Sequence, residues 1–281
     1  MSIIKKIALG TVQFGLDYGI SNEHGKTEID EIVKIIEYCK LKGIDTIDTA
    51  YAYGKSQEEL GKNDLSSFKV VTKFLLEQSM ESGRVKNSLL ESLKLLNLKQ
   101  VYGYLSHRPM ELITNPNLWD ELLEMKTSGK IKKIGFSFNE LREAELVLDK
   151  GMIPDLIQIP FNYFDNRFKS VAEYMKRTYK TEVHVRSTFL QGLFFMRPSS
   201  LSNFFNPIKE PLTTLQKTEN LTGNLLYYSA SQSFIDKVVI GVNNLSQLEL
   251  NFNALERVTS CMSETSYIIP QDILIPSKWQ M

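Results

Sequence analysis

Asp48, Tyr53, Lys73 and His107 form a chemically coherent set in the first half of the chain. A tyrosine hydroxyl titrates near pH ~10, too high to donate a proton efficiently at neutral pH. A lysine ammonium beside it would stabilise the phenolate, and an aspartate paired with that lysine would hold it in place. A neighbouring imidazole can hydrogen-bond to a carbonyl oxygen and turn it towards the phenol. Together the four suit carbonyl reduction, in which hydride arrives at carbon while Tyr53 protonates oxygen. Each residue alone has a plainer reading, as a solvated charge at a strand end or a structural histidine. Their joint occurrence at the ends of successive elements is what favours chemistry.

Those elements can be read from the pattern of apolar residues. Ile44 to Ile47 alternates apolar and polar over the length of one strand, and the chain turns polar at Asp48 and Thr49. Tyr53-Gly54 breaks the chain before Ser56-Gln57-Glu58-Glu59-Leu60, where Ser56 and Glu59 have the spacing of a helix capping box. Phe68 to Lys73 reads as the next strand and Gln100 to Leu105 as the one after, closing at Ser106-His107. Asp48, Lys73 and His107 thus fall at three successive strand ends, with Tyr53 on the loop after the first of these.

The same rhythm runs through the whole chain. Strand candidates are Ile7–Leu9, Ile131–Phe136 ending at Ser137, Asp155–Ile159, Glu182–Arg186 and Lys237–Ile240. Helical spacing marks 28–41, 84–96, 117–127, 140–149, 168–179, 212–233 and 245–255, and a Phe/Pro/Ser/Asn-rich connection covers 192–211. Strand and helix alternate eight times, which predicts a parallel sheet closed into a single-domain α/β fold, the (β/α)₈ TIM barrel, over residues 1–281. Residues 263–281 are expected to be an irregular tail packed on it. An open doubly wound sheet is the alternative, but no Gly-x-Gly-x-x-Gly turn follows the first strand.

Composition narrows the partners. Lys+Arg and Asp+Glu are equal at 33, so no overall field favours nucleic acid or an anionic membrane. Cys39 and Cys261 suggest neither a disulfide framework nor a metal cluster, and His24, His107 and His184 have no zinc spacing. No metal is expected. The start lacks an export signal, and no run reaches membrane-spanning length, so a cytoplasmic monomer or small homo-oligomer is expected.

Over nearly its whole length the sequence resembles the aldo-keto reductases. The run Asp48-Thr49-Ala50-x-x-Tyr53-Gly54-x-Ser56-x-x-x-Leu60-Gly61 looks like the family signature. Val70-Val71-Thr72-Lys73 and Leu105-Ser106-His107-Arg108-Pro109 resemble its lysine and histidine segments, so all four catalytic positions are filled. The resemblance implies reduction of an aldehyde or ketone with NADPH or NADH.

On the cofactor side the resemblance is less complete. It implies contacts from Thr11 and Asp48, and from Ser137 and Gln158 to the nicotinamide carboxamide, although Phe138 stands where the family commonly has Asn. Ser187, Leu190, Gln191 and Gly192 lie in the diphosphate-binding segment. Arg186 occupies a position where many members stack an aromatic ring on the nicotinamide. A guanidinium plane can also stack there, or Arg186 can reach an anionic group of the substrate. Gly241, Asn243, Gln247 and Asn251 resemble the adenosine-phosphate segment. No basic residue lies between Gly241 and Asn251, whereas a 2′-phosphate needs charge-assisted donors. The usual NADPH preference is therefore expected to be weakened or reversed, unless a distant residue such as Arg197 fills in.

For the substrate, the first βα loop with Tyr18 and the segment with Phe161 and Asn162 are expected to line the mouth beside His107. Their aromatic and amide groups suit a polar carbonyl compound such as a keto-sugar, and the Gly-Thr-Val-Gln-Phe-Gly opening resembles members tied to bacterial carbohydrate metabolism. The competing reading is a nicotinamide-binding regulatory or sensor protein with little turnover. A barrel lyase or isomerase would use the acid–base pair but not the cofactor segments.

Overall fold

The strands are short and buried, as parallel strands covered by helices must be. They are β1 (Ile7–Gly10), β2 (Thr46–Asp48), β3 (Lys69–Phe74), β4 (Val101–Ser106), β5 (Ile131–Ser137), β6 (Leu156–Pro160), β7 (Glu182–Arg186) and β8 (Lys237–Gly241). All eight pair in parallel and in chain order, and β8 returns to β1 to close the barrel. This is the single-domain (β/α)₈ architecture that the alternation predicts. The structure, a computed structural model, describes residues 3–76 and 83–279. Met1 and Ser2, at the start read for an export signal, and Gln280 and Met281, at the end of the tail, lie outside the described residues. Among the described residues no helix is long and apolar enough to cross a membrane.

The register brings the candidate residues to one rim. Gly10 pairs with Asp48 on one side and Gly241 on the other. Asp48 pairs with Val71, Lys73 with Leu105, Ser137 with Gln158, and Pro160 with Arg186. Because parallel strands all point the same way, these C-terminal ends form a single mouth.

Several boundaries differ from the sequence reading, each for a local reason. The second strand starts at Thr46 rather than Ile44, because Gly43 N–H and Ile44 N–H are committed to Lys40 O and Cys39 O at the end of the preceding helix. The third strand is shifted to Lys69–Phe74. Ser56 is not a helix cap: it is the first residue of the helix Ser56–Gly61, and its hydroxyl turns away to Thr11. The predicted helix 212–233 is two helices, Asn206–Leu215 and Leu221–Ala230. Gln216 ends the first and donates to Phe194 O and Met196 O, while Asn220 has φ +49° and donates to Ala254 O.

The main core lies between barrel and helices, where Trp119, Phe136, Phe138 and Phe168 stack in a row. A second apolar cluster lies beyond the mouth. There Phe164, Leu193, Phe194 and Phe205 pack with Ile269, Ile273 and Leu274 from the C-terminal segment. That segment contains one helical turn, Gln271–Leu274, and a 3₁₀ turn, Pro276–Lys278.

Candidate active site

Lys73 is the centre of the rim. Its ammonium donates to Asp48 Oδ1 at 2.7 Å, Asp48 Oδ2 at 2.9 Å and Thr49 O at 3.0 Å, and lies 3.3 Å from the Tyr53 hydroxyl. Burial works against the charged lysine, but the Asp48 carboxylate and Tyr53 outweigh it and hold the ammonium above the ordinary lysine range. The lysine is therefore a fixed cation between carboxylate and phenol.

The surrounding backbone explains why these side chains meet. Thr49 N–H and Tyr51 N–H continue the β2–β3 ladder onto Val71 O and Lys73 O, and Tyr53 N–H closes a turn on Ala50 O. Gly15 of the first βα loop lies so close to Tyr53 O that no Cβ could fit there. Thr11 N–H and Oγ1 both donate to Asp48 O, and Thr11, Thr49 and Ser56 share a buried hydroxyl cluster. The signature serine thus locks the ends of β1 and β2 together.

His107 follows β4 directly and stands edge-on to Tyr53, with ring centroids 6.1 Å apart. Burial, with the charges of Lys73, Arg186 and Arg108, pulls its pKa down to about 3. The imidazole is neutral at working pH, and its Nδ1 is buried with no partner among the described residues. A neutral ring can offer a hydrogen bond to a polar group but carries no extra proton to give.

Gln158 Nε2 donates to Asp48 Oδ2 at 2.7 Å, and Ser137 Oγ is 3.5 Å from Gln158 Oε1. Both residues sit directly behind the aspartate. Phe138 turns into the core stack, and its neighbour Asn139 supplies the carboxamide that approaches the mouth. Arg186 donates to Phe138 O at 3.0 Å and to Asn139 Oδ1, while its other arm reaches Ser187 Oγ at 3.3 Å. These three contacts tie the guanidinium to the β5 and β7 ends of the rim.

Beside the rim opens a cavity of about 420 Å³. Of the expected residues, Thr11, Tyr18, Asp48, Tyr53, Arg186, Ser187, Gln191, Gly192, Gly241, Asn243, Gln247 and Asn251 line it. Lys73, His107, Ser137 and Gln158 are not among its lining residues: Lys73 and Gln158 are buried behind Asp48, Ser137 lies next to Gln158, and His107 stands against Tyr53. Leu190 is buried in the second apolar cluster. Two substrate expectations are corrected. Phe161 is a core residue stacked on Tyr228 and against Phe234, and Asn162 is fully buried in a turn with Asp165, donating to Ser187 O. Both lie beyond β6, where the chain has already turned inward. Sequence reasoning missed Glu23, His24, Phe195 and Thr222, which also line the cavity. They sit in polar loops or on a helix flank with no motif to mark them.

The cavity suits a polar ligand. Gln13 Oε1 and Thr188 Oγ1 belong to lining residues and are buried without partners among the described residues. An orphaned acceptor and an orphaned hydroxyl at one wall are what a polar ligand would satisfy. The lining fits a nicotinamide dinucleotide, with Asp48, Tyr53, Arg186 and Ser187 on it together with Asn243, Gln247 and Asn251.

A family model described as the aldo/keto reductase family matches residues 6–263. The chain is similar to methylglyoxal reductase DkgA of Escherichia coli strain K12, 29% identical over 138 residues, and to the same protein of strain O157:H7, 28% identical. Those alignments cover 46% of this chain and 49% of each relative, so the chain spans about half the length of the curated relatives it matches. Among solved structures, aldo-keto reductase AKR11C1 from Bacillus halodurans, in its holo form, matches with a TM-score of 0.72 at 18% identity, covering 92% of this chain and 88% of that one. PA4992 of Pseudomonas aeruginosa matches with a TM-score of 0.65 at 21% identity, covering 89% and 88%. At such identities the likeness to these structures is one of fold.

Proposed function

This chain belongs to the aldo/keto reductase family, and we propose that it reduces an aldehyde or ketone to the alcohol with a nicotinamide cofactor, Tyr53 being the proton donor. The observation that carries this reading is the buried Lys73 bridging Asp48 and the Tyr53 hydroxyl at the cavity wall. A reduced nicotinamide, when bound in the cavity, would be the source of hydride for the carbonyl carbon. Tyr53 gives its hydroxyl proton to the carbonyl oxygen, and the phenolate left behind is stabilised by the adjacent ammonium. Asp48 keeps that ammonium charged and aimed. His107, neutral in this setting, orients the carbonyl oxygen towards the phenol.

The substrate reading is a small polar carbonyl compound, keto-sugars included. Tyr18 and Gln191 support it, since the Gln191 amide donates to the Tyr18 hydroxyl at 2.8 Å and both line the mouth. The DkgA relatives are named for methylglyoxal, which makes it a natural first substrate to offer. The test is single-turnover oxidation of bound NADH or NADPH by methylglyoxal, with Tyr53→Phe in parallel. The variant should bind cofactor normally and lose about 10²–10⁴-fold in turnover, the usual contribution of a positioned acid. Wild-type turnover in that variant would exclude Tyr53 as the donor, and cofactor binding without any oxidation would favour a sensor.

A further inference from the structure

The loop after β1 crosses the cavity from one end to the other. The Tyr18 hydroxyl accepts from Gln191 Nε2, and Ser21 occupies the space that a Cβ on Gly192 would need. Further along, Gly25 O accepts from Asn243 Nδ2 at 2.8 Å, on the loop after β8. Tyr18 belongs to the catalytic end, within electrostatic reach of Arg186, Tyr53 and Lys73. Gly25 marks the opposite end, with Asn243, and Glu23, two residues before it, lines the same cavity as Asn243, Gln247 and Asn251.

We propose that this far end selects an adenosine ribose without a 2′-phosphate, so that NADH is the cofactor and Glu23 its specificity-determining residue. The inference rests on the reductase reading. Among the described lining residues Arg186 is the one lysine or arginine, and its charge acts on His107 at the catalytic end. Arg197 does not line the cavity. Two amide atoms at the far end are already engaged: Asn243 Nδ2 holds Gly25 O, and Gln247 Oε1 accepts from Asn243 N–H. Glu23 is exposed and makes no ion pair among the described residues. Among the described lining residues there, a 2′-phosphate would meet a carboxylate and no lysine or arginine. A ribose diol instead offers two O–H donors, which a carboxylate accepts, as in dinucleotide sites generally.

The test is parallel fluorescence titration of the full chain with NADH and NADPH, repeated for Glu23→Gln, Glu23→Lys and Asp149→Asn. NADH should bind at least about tenfold more tightly, a gap of roughly 1.4 kcal/mol. Glu23→Gln should weaken NADH without weakening NADPH, and Glu23→Lys should tighten NADPH and bring the ratio to parity or beyond. Asp149→Asn, which removes an exposed carboxylate outside the cavity, should leave the ratio within about twofold. Equal or tighter NADPH binding by the unmodified protein overturns the inference, as does an equal effect of the Glu23 variants on both cofactors. Binding of neither cofactor would instead overturn the reductase reading on which it rests.

Discussion

Strands β2 and β3 bring together two lysine–aspartate pairs, one at each end of the barrel. Lys73 meets Asp48 at the mouth with an N–O distance of 2.7 Å, and Lys69 meets Asp45 at the opposite end with 2.8 Å. The two lysines are four residues apart and share a strand face. Distance does not separate the pairs, but surroundings do. The mouth pair is 1% and 3% exposed, the other 47% and 41%. At the mouth the third partner is a phenol facing a cavity; at the other end it is Lys237, a second cation on Asp45. The lower end continues this way, with Glu182 accepting from Tyr102, Lys133 and His184. A charge pair acquires a chemical role where water is excluded and a group of the pair is left facing open space. Where water enters, or every atom is matched, it is structural.

The strongest test of this contrast is Lys73→Met. It should lower turnover by about 10²–10⁴-fold, read as kcat with methylglyoxal, because the phenolate loses its counter-charge. Activity near wild type would place the chemistry elsewhere. A second difference is visible in acid. His107 has a folded pKa of about 3, below the usual ~6.5 of the unfolded chain, so the unfolded state binds the extra proton between these values. Stability should fall as pH drops from about 6.5 towards 3, and His107→Gln should flatten that slope in urea unfolding at stepped pH. Asp45 is partly desolvated, which raises its pKa, but hydrogen bonds from Lys237, Lys69 and Thr46 prevail and bring it to about 2. Its contribution is present above its unfolded pKa of about 3.8 and is lost only as pH falls towards 2, so acid should weaken the mouth first. The smallest effect belongs to Lys69→Met. An exposed pair is worth about 0–1 kcal/mol, so stability should change by no more than that and kcat by less than about twofold. A large loss of activity would mean that the two ends are coupled.

Much of this was legible in advance. Eight rounds of strand and helix predict the barrel, and the polar residues at Asp48, Lys73 and His107 predict where its mouth is. Other features were not. Ser56 has the spacing of a capping box, yet its hydroxyl finds a better acceptor in Thr11 O across the β1–β2 gap. Phe161 and Asn162 sit at the right offset for a mouth loop, but Tyr228 and Phe234 draw the phenylalanine into the core. Phe138 replaces an expected amide, and Asn139 takes up the contact with Arg186.

The sequence by itself determined the fold class and the four residue types at the candidate rim, because side-chain alternation, turn chemistry and helical spacing act over a few neighbouring residues. Tertiary structure alone decided which of two similar lysines is desolvated, which way Gln158 points, and that Glu23 shares a cavity wall with Asn243, 220 positions later. Burial and electrostatic field are sums over groups distant in the chain. They take their values only once the barrel has closed.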